Sequence, residues 1–313
     1  MKVIPHIYSG IPTFAKAPLC EDLGAIDADI AVLGMPYENT FGNAGARNGP
    51  RGIREASVAV SYEMDRGYYH PDDDETYFEG GVSIVDCGDV PVVACDLEPS
   101  FTLLKDAVSE IARSNALLIT LGGDHSITGG VIEALTERGP FGIVHIDAHM
   151  DWNKPEGRKY CQSNPLRLAS ELPHVTKMAQ LGIRAFPLTS LASLQDARDY
   201  GSVIMSPKKI RELGISGTIQ AIPKCDRYYV TIDIDGMDPS IAPATGALAY
   251  GGLLYEETRE LLKGIANLGE IVGFDMVEVA PPLDSPGNPT CQLAARLIAD
   301  FAGFILKARE TRA

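Results

Sequence analysis

Short apolar runs rich in valine and isoleucine alternate along the chain with longer stretches whose apolar residues recur every three or four positions. The first kind reads as buried strands and the second as amphipathic helices. The predicted strands are 29–35, 82–88, 117–123, 141–149, 177–184, 228–235 and 271–279, and the predicted helices are 98–114, 126–138, 190–199, 207–213, 254–268 and 290–310. Such alternation builds an α/β fold with a mostly parallel sheet and helices on its faces. Neither a repeat of fixed period nor a low-complexity linker divides residues 1–313, so a single domain is expected. The last helix is long, and its mixed polarity suits docking on the sheet or on a second subunit. The acidic run HPDDDETYFEGG at 70–81 reads as a solvated excursion between early elements.

Composition narrows what such a fold does. With 45% hydrophobic residues among 313, the chain buries a large core. A formal net charge of -15 repels phosphate backbones and anionic lipid surfaces. Nucleic-acid and membrane partners are therefore not expected, and a small cationic substrate is. The cysteines, Cys20, Cys87, Cys95, Cys161, Cys225 and Cys291, form no CxxC pair. That spacing argues against a zinc ribbon or a disulfide scaffold and for a reducing cytoplasm. The stretch MKVIPHIYSGIPTF has two prolines and no sustained apolar core, so neither a signal peptide nor a membrane span is expected.

The polar residues at the ends of the apolar runs carry the candidate chemistry. In VHIDAHMD (144–151), side chains on alternate positions of an extended segment share one face, so Asp147, His149 and Asp151 point the same way. LITLGGDHS ends another strand with Asp124 and His125, VTIDIDGMDP a third with Asp233 and Asp235, and FDMVEVAPP a fourth with Glu278. Ligands of open parallel sheets bind outside the carboxyl ends of the strands, which brings these residues to one site. Two bare like charges about 4 Å apart repel by roughly 4 kcal/mol at an effective dielectric near 20. Two divalent cations offset the four aspartates, and the mixed imidazole and carboxylate donors suit manganese, nickel, zinc or iron. A metal pair roughly 3.5 to 4 Å apart ionises a water at neutral pH and polarises an electrophile beside it, the chemistry of a hydrolase. Asp147 and Asp233 are the candidate bridging ligands. Asp124 is expected to brace His125 or the following helix. His6, His70, His145 and His174 read as hydrogen-bonded packing residues, and Arg47 and Arg51 as residues that cap structure or line the mouth of the site. SITGG after His125 lacks the Lys-Ser/Thr pair of a phosphate loop, which argues against nucleotide binding.

The set GGDH (122–125), DAHMD (147–151), DIDGMDP (233–239) and VEVAPP (277–282) resembles the ureohydrolases, the family of arginase, agmatinase and their guanidino-acid relatives. GARNGPRGIREAS (45–57) resembles the amino-terminal loop of the agmatinase branch, so the similarity covers nearly the whole chain. The resemblance implies a three-layer α/β/α sandwich, trimeric or hexameric, that hydrolyses guanidino carbon–nitrogen bonds with two ions of manganese or nickel. It implies His125, Asp147, Asp151 and Asp233 around one ion and Asp147, His149, Asp233 and Asp235 around the other. Glu278 matches the acidic residue that grips the guanidinium, and Asp151 is a candidate for passing a proton to the departing amine.

One position departs from the pattern. The family's loop histidine, which helps shuttle protons, falls on Gln162 in YCQSNPLRLA (160–169), and glutamine does not titrate. Formimidoylglutamases of the same superfamily also lack it. The departure implies an altered substrate, with guanidine or a biguanide such as metformin standing beside agmatine and guanidinobutyrate. Trp152, directly after Asp151, is a candidate wall for a compact cation through its ring face, with Gln162 beside it. Two rival readings are a non-catalytic partner subunit of a hetero-oligomer and a formimino or amidino hydrolase.

Overall fold

A computed structural model describes residues 9–39, 42–93, 96–154, 157–185 and 190–312; His6 and Cys95 lie outside them. Among the described residues ten strands are formed: β1 (Ile30–Met35), β2 (Tyr68–His70), β3 (Glu75–Tyr77), β4 (Ile84–Asp89), β5 (Leu117–Gly122), β6 (Phe141–Ile146), β7 (Val175–Leu181), β8 (Val203–Met205), β9 (Arg227–Asp233) and β10 (Glu270–Val277). Eight make one sheet in the order β4-β1-β5-β10-β9-β6-β7-β8, with every pairing parallel. The helices are α1 (Gly49–Ala56), α2 (Ser61–Arg66), α3 (Leu97–Ala112), α4 (Ser126–Ala134), α5 (Pro165–Ser170), α6 (Leu191–Tyr200), α7 (Pro207–Ala221), α8 (Tyr255–Ala266) and α9 (Pro289–Arg312).

Side-chain alternation along the strands sends residues into two cores. Leu117, Ile119 and Leu121 of β5 pack on one face with Ile53 of α1, Ile210 of α7, Leu261 of α8 and Leu297 of α9. Leu118 faces the other way and joins Phe101 of α3, Ile127 of α4, Leu166 of α5 and Ala197 of α6. Helices thus cover both faces, and the fold is a three-layer α/β/α sandwich. Strands buried on both faces read as continuous apolar runs, which is why the pattern located them.

Three segments differ from expectation. The stretch 45–57 is not a loop throughout: α1 occupies Gly49–Ala56, with Pro50 in its first turn, Ile53 buried and Arg54 bonded to Asp86 at 2.8 Å. α7 continues beyond residue 213 through a break at Gly214, whose φ of +69° interrupts the helical pattern. The acidic run at 70–81 is solvated only in part: Asp72, Asp74, Glu75 and Glu79 are exposed as expected, but the run is not irregular throughout. It holds part of the antiparallel hairpin β2–β3, and Tyr77 and Phe78 enter the core. The Asp73 side chain turns inward there, bonded to Arg259, to Lys263 Nζ at 2.5 Å and to the Tyr77 hydroxyl at 2.9 Å. The long α9 packs on α8, α1 and β10.

Candidate active site

The four strands that end in the unusual residues, β5, β10, β9 and β6, are adjacent in the sheet. Close backbone approach makes room for their ends: a Cβ on Gly123 would lie 1.7 Å from the Tyr37 carbonyl oxygen. After this turn Asp124 accepts the Ser126 N–H at 3.0 Å and the Asn39 N–H at 2.5 Å, so it braces the start of α4. His125 is thereby fixed at the sheet's carboxyl edge.

His125 Nδ1 faces Asp147 Oδ2 at 3.0 Å, Asp151 Oδ2 at 2.9 Å and Asp233 Oδ2 at 3.2 Å. It is buried and makes no geometrically sound hydrogen bond to any of them. Its other nitrogen, Nε2, lies 2.9 Å from the Thr231 hydroxyl, which leaves Nδ1 as the ligating atom. A nitrogen lone pair and three carboxylate oxygens converging on one point fit a divalent cation. A second set shares Asp147: His149 Nδ1 lies 3.0 Å from Asp235 Oδ2 and 3.4 Å from Asp147 Oδ1. Backbone N–H groups orient these carboxylates, from Ala148 to Asp235 at 3.0 Å and from Asp235 to Asp233 at 2.8 Å. All six residues expected around the two ions are thus brought together.

The charge balance of the cluster is one-sided. Burial pushes the Asp233 carboxyl well above its usual range, and the Asp235 and Asp147 carboxylates push it further. Burial disfavours the charged His125 imidazole, yet Asp147, Asp151 and Asp233 together hold its pKa well above the ordinary value. His149 is likewise pushed up to about 12, with burial opposed by Asp235 and Asp147. Both imidazoles draw protons because the carboxylates lack positive charge. Divalent cations would supply it.

Glu278 follows β10 and accepts the His125 backbone N–H at 2.8 Å through Oε1. Burial, reinforced by the Asp124 carboxylate, raises its pKa well above the usual range. Asp151 and Glu278 both have positive φ, +49° and +62°. Such backbone costs roughly 1–3 kcal/mol per residue and clusters at functional sites.

The cluster forms the floor of a cavity of about 1000 Å³ whose walls include Gln162, Trp152, Lys154, Arg158 and Arg167. Gln162 Oε1 is buried without a hydrogen-bond partner. Trp152 is only 2% exposed, donates its Nε1–H to Asp196 at 2.9 Å and packs on the Tyr200 ring, so the core takes up nearly all of its surface. Arg47 pairs with Glu38 and Arg51 with Glu55, and neither lines the cavity.

His145, read as a hydrogen-bonded packing residue, is indeed buried and hydrogen-bonded, and one of its partners is a carboxylate of the site. His145 Nε2 lies 2.7 Å from Asp147 Oδ2. It is part of a polar row, Thr120, Asp275, Thr231, His145 and Gln180, that runs in register across β5, β10, β9, β6 and β7 beneath the ligands. All five are fully buried. Asp275 accepts from the Thr128 and Tyr229 hydroxyls at 2.8 and 2.7 Å. The signal for this row was a polar residue inside the apolar part of each strand.

The family model of the arginases matches residues 28–303. The chain is 34% identical to the proclavaminate amidinohydrolase of Streptomyces clavuligerus over 97% of its length and 96% of that protein. It is 32% identical to the guanidinopropionase of Pseudomonas aeruginosa, covering 94% of this chain and 91% of that one. The solved structure of the Streptomyces clavuligerus enzyme superposes with a TM-score of 0.83 and 31% identity, covering 97% of this chain and 100% of that one. The strand-end ligand set and these similarities together show that the chain belongs to the arginase family, whose members of this type hydrolyse carbon–nitrogen bonds of guanidino compounds.

Proposed function

We propose that the protein hydrolyses a carbon–nitrogen bond of a guanidine-type cation with two divalent ions, manganese or nickel, held by His125, Asp147, His149, Asp151, Asp233 and Asp235. The observation that carries this reading is the convergence of three carboxylate oxygens on the unpartnered His125 Nδ1, with a second donor set sharing Asp147. When bound, such an ion pair supplies an ionised water and polarises the guanidine carbon. The chain's own residues do the rest. Glu278, one oxygen held by the His125 N–H, offers its other oxygen to a guanidinium N–H and orients the planar head. Asp151 stands beside the reacting centre to carry a proton to the departing amine. Gln162 cannot take that part, and its unpartnered oxygen suits it to accept an N–H of the substrate.

The cavity walls bear on the substrate's tail. Lys154 and Arg158 line the cavity and are exposed, which favours a tail bearing a carboxylate over the second cation of agmatine. The names of the proclavaminate and guanidinopropionate enzymes among the relatives support the same direction. Guanidine and metformin fit the head position alone. The protein works in the cytoplasm as a trimer or hexamer in this reading; no helix among the described residues is long and apolar enough to cross a membrane.

The test is urea release from guanidine, metformin, agmatine, guanidinobutyrate and guanidinopropionate by protein loaded with manganese or nickel. Turnover of at least one, lost on chelation and restored by metal, is expected. Two bound ions with no turnover of any compound would leave the non-catalytic partner subunit as the better reading, and formamide or ammonia in place of urea would identify a formimino or amidino hydrolase.

A further inference from the structure

His145 stands 2.7 Å from the candidate bridging carboxylate, close enough to be a third nitrogen ligand or a hydrogen-bond donor. The chemistry differs sharply: a ligand offers a lone pair at Nε2, whereas a donor carries a proton there. Hydrogen-bond partners on the far side of the ring decide between them.

Gln180 on β7 places its amide nitrogen 2.7 Å from the Met150 carbonyl oxygen and 3.1 Å from His145 Nδ1. A backbone carbonyl only accepts, so the amide group facing it must be the NH2 and not the oxygen. The amide oxygen points the other way and accepts the Ser202 hydroxyl at 3.1 Å, which agrees with that orientation. The second amide hydrogen then faces His145 Nδ1, which must accept it. A neutral imidazole that accepts at Nδ1 carries its hydrogen on Nε2, and that hydrogen points at Asp147 Oδ2. His145 and Gln180 are fully buried, away from bulk solvent, and the protein groups named here are their partners.

We propose that His145 is a positioning residue and not a metal ligand: the Met150 carbonyl, through Gln180, holds it as the Nε2–H tautomer, and it donates to Asp147. This rests on the two-cation reading of the site. The hydrogen bond fixes the rotamer of Asp147 and occupies one lone-pair direction of Oδ2, which leaves the remaining directions for the ions. Met150 lies between His149 and Asp151, so the same relay ties down the segment that carries both ligands. Outer hydrogen bonds of this kind orient ligands at metal sites.

The test uses the whole protein with isotope-labelled histidine, the His145 signal being assigned from the His145→Gln variant. In metal-free protein, nitrogen–proton correlation spectra are expected to show the His145 ring hydrogen on Nε2 and none on Nδ1. Loading with zinc, which is diamagnetic, should leave that proton in place. In the Gln180→Leu variant the Nδ1 chemical shift should move because its hydrogen bond from the amide is gone, while Asp147 keeps the hydrogen on Nε2. Zinc affinity should fall about 10–100-fold in His145→Leu and return largely in His145→Gln, which keeps an N–H near the same place. An Nδ1–H tautomer in the wild type, or loss of the Nε2 proton when zinc binds, would overturn the proposal. The tautomer of the metal-free protein judges the relay even where zinc does not bind, so failure of the relay and failure of the two-cation reading give different results. If His145→Leu does not fold, the wild-type and Gln180→Leu spectra still decide.

Discussion

Two clusters of buried carboxylates lie in this chain, and they differ in what surrounds them. At the hairpin, Asp73 meets Arg259 and Lys263, while Asp300 accepts from Arg296 at 3.0 Å and from the Tyr68 and Tyr255 hydroxyls at 3.1 and 2.7 Å. Each carboxylate there has a cation from the chain. At the strand ends, the direct side-chain partners of Asp147, Asp151, Asp233 and Asp235 among the described residues are the imidazoles His125, His145 and His149, while the Arg184 guanidinium acts on these carboxylates through space and spends its hydrogen bonds on backbone carbonyls such as that of Asp235. The contrast separates a structural acidic cluster from a ligand site. In the first, folding itself supplies the balancing charge. The second is left short, and its missing charge is the imprint of cations that the chain does not encode.

That distinction can be broken by experiment. The largest effect is expected from Asp233→Asn at the strand ends: turnover should fall more than about a hundredfold and bound metal should drop, while the metal-free variant should melt at or above the wild-type temperature because a repelled carboxylate is gone. Elemental analysis with calorimetry of the metal-free protein reads both. At the hairpin the opposite pattern is expected. Arg259→Met leaves a buried carboxylate short of its partner and should cost about 3 kcal/mol of stability, seen in denaturant unfolding, with the metal content unchanged. Loss of metal in that variant would erase the contrast.

Cation binding sharpens it further. An ion that binds only the folded state at a hundred times its Kd should stabilise the wild type by about 2.7 kcal/mol, and Arg259→Met by the same amount. Asp233→Asn should gain clearly less, a difference that scanning calorimetry with and without manganese would measure. The smallest effect concerns acid. Burial works against the Asp73 carboxylate, but Arg259, Lys263 and Tyr77 hold its pKa below the ordinary value of about 3.9. A carboxylate depressed in the folded state contributes stability that is present above the unfolded pKa and lost as pH falls through the folded one. The stability gap between wild type and Asp73→Asn should therefore be full near neutrality and shrink as the pH drops below about 4. A gap independent of pH would mean that the loss in the variant comes from packing and not from charge.

Much of this architecture is legible from sequence because parallel strands are buried on both faces. LLITLG and FGIVHI declare themselves as apolar runs, and the aspartates and histidines that end such runs declare the site. What escapes notice lacks a periodic signal. β8 is three residues long, and α1, GPRGIREA, contains two glycines and a proline that read as loop. The hairpin hides inside an acidic run because the partners of Asp73 lie nearly two hundred positions away. His145 and Gln180 are buried polar residues in largely apolar strands, and their meaning depends on cross-strand register. No one-dimensional pattern contains that register.

β10, the last strand in the chain, is inserted between β5 and β9 near the middle of the sheet. Until it emerges from the ribosome, the earlier strands can form only two separate half-sheets, one ending at β5 and the other at β9. Glu278, which holds the His125 backbone from 153 positions away, arrives on the same segment. In the two-cation reading, loading would be a late event in the life of the molecule, because a nascent chain stalled before residue 270 lacks both the strand between β5 and β9 and Glu278.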